Sequence, residues 1–526
     1  MKVKNNIILA FVLIFLALVC PRKIFALPEG GVVTAGSAVI HDANGADLEI
    51  SQSTNRAIIN WNQFHIGANE RVHFAQPDSS AVTLNRITGG DPSSIFGSLT
   101  ANGSIFLVNP NGVFFGPTAT VDVGSLIATT IDIQNEAFLA GNYNFQETGA
   151  GTGFVINHGK IKVNDAGFVF FIAPTLSNEG VIAADGGEIV LSARGAADPF
   201  SLMINQSGII EAKSLVHSGG VIRLIASTVI QSGALDVSAR ESGANGGHIL
   251  ITSTDKTELK EGSLVDADGM GNGNGGNIIV WSDKNTSFNG TLLARGGDAG
   301  GNGGAVEVSG LQQLQFNGFV NASAANGIAG SLLIDPKNIV IENGGDDAFS
   351  ANDPFGENAE NLTRIDANQI TAITNVGTGV ILQANNDITV NEAIVTNHSN
   401  GVGGALTLQA GRSILINASI TSDDAIITLT ANDPAAIGAS RDSGPASITM
   451  APATTLNAGG ANIVIVLSTG SGVGKDASGA ITLDNLTTTS NIKIADSGPG
   501  SQGSTGSALG ILGASSSSDN SPLCSL

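Results

Sequence analysis

The chain has 526 residues, 69 of them glycine, with 5% aromatic and only 13% charged side chains, against a usual charged share of about 25%. A hydrophobic content of 42% excludes a disordered polymer, and a formal net charge of −22 argues against nucleic acid or anionic lipid as a partner. Small apolar residues mixed with frequent glycine suit many short strands joined by tight turns.

Residues 1–26 read as a secretory signal. Lys2 and Lys4 form a positive leader, Ile7–Val19 is an apolar run shorter than a membrane span of about 20 residues, and Ala26 supplies a small residue for cleavage. Cys20, between Val19 and Pro21, fits a lipid-attachment box poorly. Cleavage would remove four of the 23 basic residues and none of the 45 acidic ones, taking the net charge to −26. Cys524 is then the sole cysteine, so no intrachain disulfide can form and stability must come from burial and hydrogen bonds.

Residues 27–150 form a more aromatic segment with three distinctive runs. They are Ile59-Asn-Trp-Asn-Gln-Phe-His-Ile66 with its continuation to Phe74, Leu84-Asn-Arg-Ile-Thr-Gly-Gly-Asp-Pro92, and Gly103-Ser-Ile-Phe-Leu-Val-Asn-Pro-Asn-Gly-Val-Phe-Phe-Gly-Pro117. In the third, Ile105–Val108 and Val113–Phe115 read as strands, and Asn109, Pro110, Asn111 and Gly112 as a type I turn in which Asn109 bonds back to the backbone. The turn either serves the fold alone or also offers a recognition contact. Trp61 and Phe64 are expected to form an apolar cap over the open first coil, because a bare strand edge invites aggregation. His65 and His73 lie an even number of residues apart, but no further ligands accompany them, so no metal is expected.

Residues 151–341 carry a repeat. Gly-Gly-x-apolar-x-apolar recurs at Gly186–Leu191, Gly219–Leu224, Gly246–Ile251, Gly275–Val280 and Gly303–Val308, and Gly-x-apolar-x-Ala falls between copies, as at Gly208–Ala212, Gly290–Ala294 and Gly318–Ala322. Each apolar-x-apolar unit is a short strand with one inward face, and the preceding glycine is read as supplying the angles of a corner. No single coil can bury its own face, so the coils must stack, with Asn and Asp forming ladders at the corners. Roughly 20 rungs at about 4.8 Å would make a rod on the order of 100 Å. Asp266–Asn274 and Gly296–Gly304 resemble calcium-binding nonapeptides, but these copies stand about 28 residues apart instead of nine, which favours plain turns.

A looser section, 342–495, continues the theme at Val380–Leu382, Gly403–Leu408 and Ile463–Val466, after a Gly/Asp/Asn-rich insertion at Asn343–Asn361. Residues 496–526 are low in complexity and expected to be disordered. A β-propeller would need about 40 residues per blade and an Ig-like array more aromatic cores than two tryptophans and one tyrosine provide. Neither a Gly-x-Ser-x-Gly elbow nor a His-Glu-x-x-His helix occurs, and acidic residues are scattered through turns, so no catalytic residues and no cofactor are expected.

The three N-terminal runs resemble the haemagglutination-activity, or secretion, domain of the filamentous-haemagglutinin family of two-partner-secretion exoproteins, and Ser331–Ile341 resembles another segment of that family. The resemblance implies an all-β, right-handed parallel β-helix with an N-terminal cap. It also implies Sec-dependent export through a cognate outer-membrane transport barrel, and binding to a host or neighbouring-cell surface, glycans included. One departure is that a second family motif, Asn-Pro-Asn-Leu, has no counterpart here. Two other readings stay open: the truncated front of a larger exoprotein, and a β-helix enzyme acting on polysaccharide.

Overall fold

The computed structural model describes residues 27–145, 153–194, 202–345, 362–399, 401–437, 441–470 and 478–496. The leader, both cysteines, most of the Asn343–Asn361 insertion and all but the first residue of the expected tail lie outside the described residues.

Three strands per turn wind the chain into a right-handed parallel β-helix with three faces. The first face stacks strands from Arg56–Trp61 down to Ile492–Asp496, every neighbouring pair parallel. Sixteen strands are stacked there, a rod of about 70 Å instead of about 100 Å. The shortfall lies chiefly in the coil between Ser125–Thr129 and Phe168–Ala173, where Ile131–Phe145 leaves the stack.

The repeat falls into register as its periodicity predicts. Ile189, Ile222, Ile249, Ile278 and Val306 face one another in successive rungs and are buried. On the third face Ile210, Leu235, Val265, Leu292 and Val320 do the same.

Gly186, at φ +64°, supplies corner angles as the sequence suggested, but the second glycine of each copy has another reason. Gly247, Gly276 and Gly304 have no positive φ. A Cβ on Gly276 would lie 2.0 Å from Gly247 O, and one on Gly304 2.0 Å from Gly276 O. Their amides donate across the corner, Gly276 to Ala267 O and Gly304 to Ala294 O at 2.7 Å. Close approach of backbone to backbone therefore selects glycine, and the same contact explains the alanine that ends the second motif.

Side-chain ladders knit the corners. Asn157 Nδ2 donates to Asn178 Oδ1 and Asn178 Nδ2 to Gln206 Oε1, each at 2.8 Å and fully buried. The column continues to Gln231, but Gln206 Nε2 donates to Gly208 O and Ala234 O instead, so Gln231 Oε1 is left without a donor. In the glycine-rich turns, Asn245, Asn274 and Asn302 each accept from a backbone N–H one rung on, at 2.8 Å.

Two features were not visible in the sequence reading. The helix Ala367–Thr374, capped by Asp366, takes the place of a strand on the third face, between Phe319–Asn321 and Ile394–Val395, and buries Ala367, Ile370, Ile373 and Thr374. The 12-stranded sheet ends above it and a 4-stranded sheet begins below it. The second feature is a flap, Ile131–Phe145 with its short helix Asn135–Leu139, that covers the outside of the first face. Beneath it Ile58, Leu84, Phe106 and Ile127 point outward into a separate apolar cluster with Phe138 and Phe145.

Candidate functional site

The three N-terminal runs converge on one corner of the first coils. Antiparallel strands close the top: Val32–Ala35 pairs with Arg56–Trp61, and Ala38–Ile40 with Asp47–Gln52. Trp61 and Phe64 are buried beneath them, their rings 5.6 Å apart and edge to face. The indole Nε1 donates to Asn85 Oδ1 at 2.9 Å. Gly31 packs so tightly on Trp61 that a Cβ would lie 2.5 Å from its ring. These aromatics thus form the top layer of the core, and backbone strands provide the covering.

Directly below, Glu29 exchanges backbone bonds with Asn62 and Gln63, and Gln63 Nε2 reaches Asp91 Oδ2 at 3.3 Å. Asn109 lies one rung further down and is fully buried. Its Nδ2 donates to Asp91 O and to Ser93 Oγ, both at 3.0 Å, and its Oδ1 accepts from Asn111 N–H at 3.0 Å. Gly112 N–H closes the turn on Asn109 O at 3.0 Å, and Asn111 Nδ2 donates to Gly89 O. Neither Pro110 nor Asn111 has a positive φ, which agrees with type I and excludes type II. Gly112 has φ +124°, and a Cβ there would meet Phe154 O at 3.0 Å.

The turn is therefore a rigid platform with a division of labour. Asn109 and Gly112 face inward and hold the corner. Pro110, Asn62, Gly90 and Glu29 face solvent and form its outer surface. Arg86, from the second run, fastens the flap: its guanidinium donates to Asp132 Oδ1, Asn135 Oδ1 and Ile133 O at 2.8–2.9 Å. The signal for that role was a set of neighbouring strands too continuously apolar to be buried on one side only.

Residues 24–280 match the family model of the TPS secretion domain. The chain carries the secretion domain of a two-partner-secretion exoprotein. Two heme/hemopexin-binding proteins of Haemophilus influenzae are similar to this exoprotein. One is 36% identical over 211 residues, 38% of this chain and 23% of the relative. The other is 37% identical over 118 residues, 22% of this chain and 13% of the relative. The exoprotein thus matches less than a quarter of the length of either. The crystal structure of the HMW1 secretion domain from Haemophilus influenzae aligns with 22% identity and a TM-score of 0.48, covering 83% of this chain and 100% of that one. The coil architecture of the exoprotein stands on its own strand ladders.

The matched span of the exoprotein runs past residue 150 into the regular coils. His65 Nδ1 accepts from Ser94 N–H at 3.2 Å, while His73 Nδ1 bonds Thr100 Oγ1 at 2.8 Å. Among the described residues no three His, Cys, Asp or Glu side chains gather as a metal cluster. The glycine-rich turns considered for calcium use their oxygens internally: Asp268 accepts from Arg295 N–H and pairs with its guanidinium, and Asp266 Oδ1 accepts from Asp268 N–H. Burial and the nearby carboxylates of Asp268 and Asp236 push the Asp266 carboxyl up to about 6.

Proposed function

We propose that this exoprotein passes the inner membrane by the Sec route and is carried to the outer surface of a Gram-negative cell by a cognate outer-membrane transport barrel. There it acts as an adhesive rod on host or neighbouring cells, binding and not catalysing. The observation that carries the reading is the corner built by Glu29, Asn62, Asp91 and Asn109–Gly112. It is a stiff, solvent-facing platform at the end of the rod that leads export. Rigid exposed turns of this kind suit recognition. Matches over 23% and 13% of the heme/hemopexin-binding relatives support a shared export route and leave the ligand to be found on this chain's own surface.

The test is co-expression with the candidate barrel, with the export and the melting of each variant measured. Asn109→Ala should lose about 2–3 kcal/mol, because it strands buried partners, and should fail in both readouts. The double variant Asn62→Ala/Pro110→Ala alters exposed side chains only. It should melt like the wild type yet accumulate in the periplasm. Normal export of that folded variant would reduce the corner to a structural role.

A further inference from the structure

The outer surface of the first face carries one column of residues that neither export nor core packing explains. Trp281 stands opposite Ser309, Gln383 opposite Gln409, and Gln409 opposite Thr430. Asp335 follows directly on Ile334, which faces Leu382, and so falls beside Gln383. Successive rungs therefore present Trp281, Ser309, Asp335, Gln383 and Gln409, a strip of about 20 Å along the rod axis. Ser309 is covered, and its hydroxyl donates to Glu307 Oε1 at 3.3 Å.

At its lower end the strip becomes the floor of a cleft of about 250 Å³, walled by Asp433 and the stretch to Ile437. The wall is fastened. Ile437 N–H donates to Asn385 Oδ1 at 2.8 Å. Arg441, 2% exposed, donates from Nε to Gly411 O at 2.6 Å and from Nη2 to Asn432 Oδ1 at 3.3 Å. Lys337 and Asn386 both donate to the Asp442 carboxylate. A buried arginine that ties a surface loop to backbone and amide acceptors holds that loop in a fixed shape.

Asp335, Gln383 and Gln409 all line the cleft. Asp335 Oδ1 is buried without a hydrogen-bond partner, and burial together with the nearby Glu307 carboxylate pushes its carboxyl up to about 6. Among the described residues no hydrogen bond engages the side-chain amide of Gln383 or Gln409. Trp281 is half-buried, its Nε1 held by Asp283 Oδ1 at 3.0 Å. Amides that both donate and accept, a carboxylate acceptor and an indole match vicinal hydroxyls and the C–H face of a sugar ring. Glu307, Asp335, Asp433 and the net charge of −22 repel polyanionic glycans. One rung of about 4.8 Å is close to the advance of one pyranose unit in an extended β-linked chain, so successive rungs meet successive sugars.

We propose that this strip binds an extended, uncharged, β-linked polysaccharide laid along the rod axis, with one ring packed on Trp281 and hydroxyls bonded by Asp335, Gln383 and Gln409. The proposal deepens the adhesive reading, on which it rests, by assigning that reading a ligand class and a place.

The test uses the purified, folded full chain with cellohexaose and xylohexaose as probes, cellobiose as the short control and a hyaluronan hexasaccharide as the polyanionic one. Trp61 and Trp281 are the only tryptophans, and Trp61 is 1% exposed, so a sugar-induced emission change reports Trp281. At least one neutral hexasaccharide should bind, and cellobiose and hyaluronan should bind far more weakly. By calorimetry, Trp281→Ala and Gln383→Ala/Gln409→Ala should each weaken the hexasaccharide about tenfold, with melting unchanged. The proposal is overturned if neither neutral hexasaccharide binds at millimolar concentration. Equal binding of cellobiose or hyaluronan, or wild-type affinity in the double glutamine variant, also sinks it. Because the assay needs no transport, its failure leaves the export reading intact, and failed export leaves this assay readable.

Discussion

The coils up to residue 145 and the glycine-rich coils between 202 and 341 wind around the same three faces but are held by different means. In the first group individual side chains do the fastening: Asn109 at the corner, Trp61 on Asn85, Arg86 on the flap. Strands such as Ser104–Val108 are buried along their whole length, because a second apolar cluster lies outside the coil. In the second group burial alternates along strands such as Asn277–Ser282, and the corners close by backbone meeting backbone at glycine. One coil geometry can thus be specified by unique contacts or by repetition. Unique contacts are what a recognised domain needs, since they give its surface distinguishable features.

Substitutions can break or sharpen that contrast. Phe106→Ala should have the largest effect, about 3–5 kcal/mol. Phe106 meets the rings of Phe138, Tyr143, Phe145 and Phe168, so its loss undermines the flap as well as the coil. Urea unfolding combined with hydrogen exchange in Ser104–Val108 measures it. A loss no greater than that of an outward residue in the glycine-rich coils would show the outer cluster to be incidental.

Gly276→Ala should cost about 1–3 kcal/mol by forcing two rungs apart. Gly262→Ala, where φ is +82° but nothing lies within 4 Å, should cost about 1 kcal/mol from backbone strain alone. Equal shifts in the two melting curves would refute close approach as the reason for the motif.

The smallest effect is electrostatic. The folded-state carboxyl of Asp266 titrates near 6, above its ordinary 3.8. Its protonated form is favoured by folding, so its stability contribution is full below about pH 4 and is lost as pH rises through 6. Asp266→Asn keeps an acceptor for Asp268 N–H and should stabilise the rod by about 1 kcal/mol at pH 7.5, discounted for solvent screening, with no change at pH 3.5. A pH-independent difference in urea midpoint between wild type and variant would contradict this.

The architecture was legible because its information is periodic. Gly-Gly-x-apolar-x-apolar repeats wherever a rung must approach its neighbour, and the inward residues fall into register without exception from Ile189 to Val306. The turn at Asn109–Gly112 was legible because its residue types dictate local geometry. What periodicity cannot encode was missed. The flap is joined to the stack by Arg86 and Phe106, contacts that span some 30 to 50 residues and occur once. The helix Ala367–Thr374 carries a fair signal, with apolar residues at Ile370 and Ile373 behind an Asp366 cap, but it follows an insertion and displaces a strand that the repeat leads one to expect. The Trp281–Gln409 strip escaped because outward residues in different coils become neighbours only when the register is known.

That helix has a mechanical consequence. A stack of parallel rungs shares an axial load across three continuous sheets, but at Ala367–Thr374 one of the three is replaced by a single short helix, tied to the rung below by isolated bonds at Thr371 and Thr374 in place of a backbone ladder. Pulled from its two ends, the rod should yield first at this cross-section. The upper coils would then remain a whole piece while the lower ones come away.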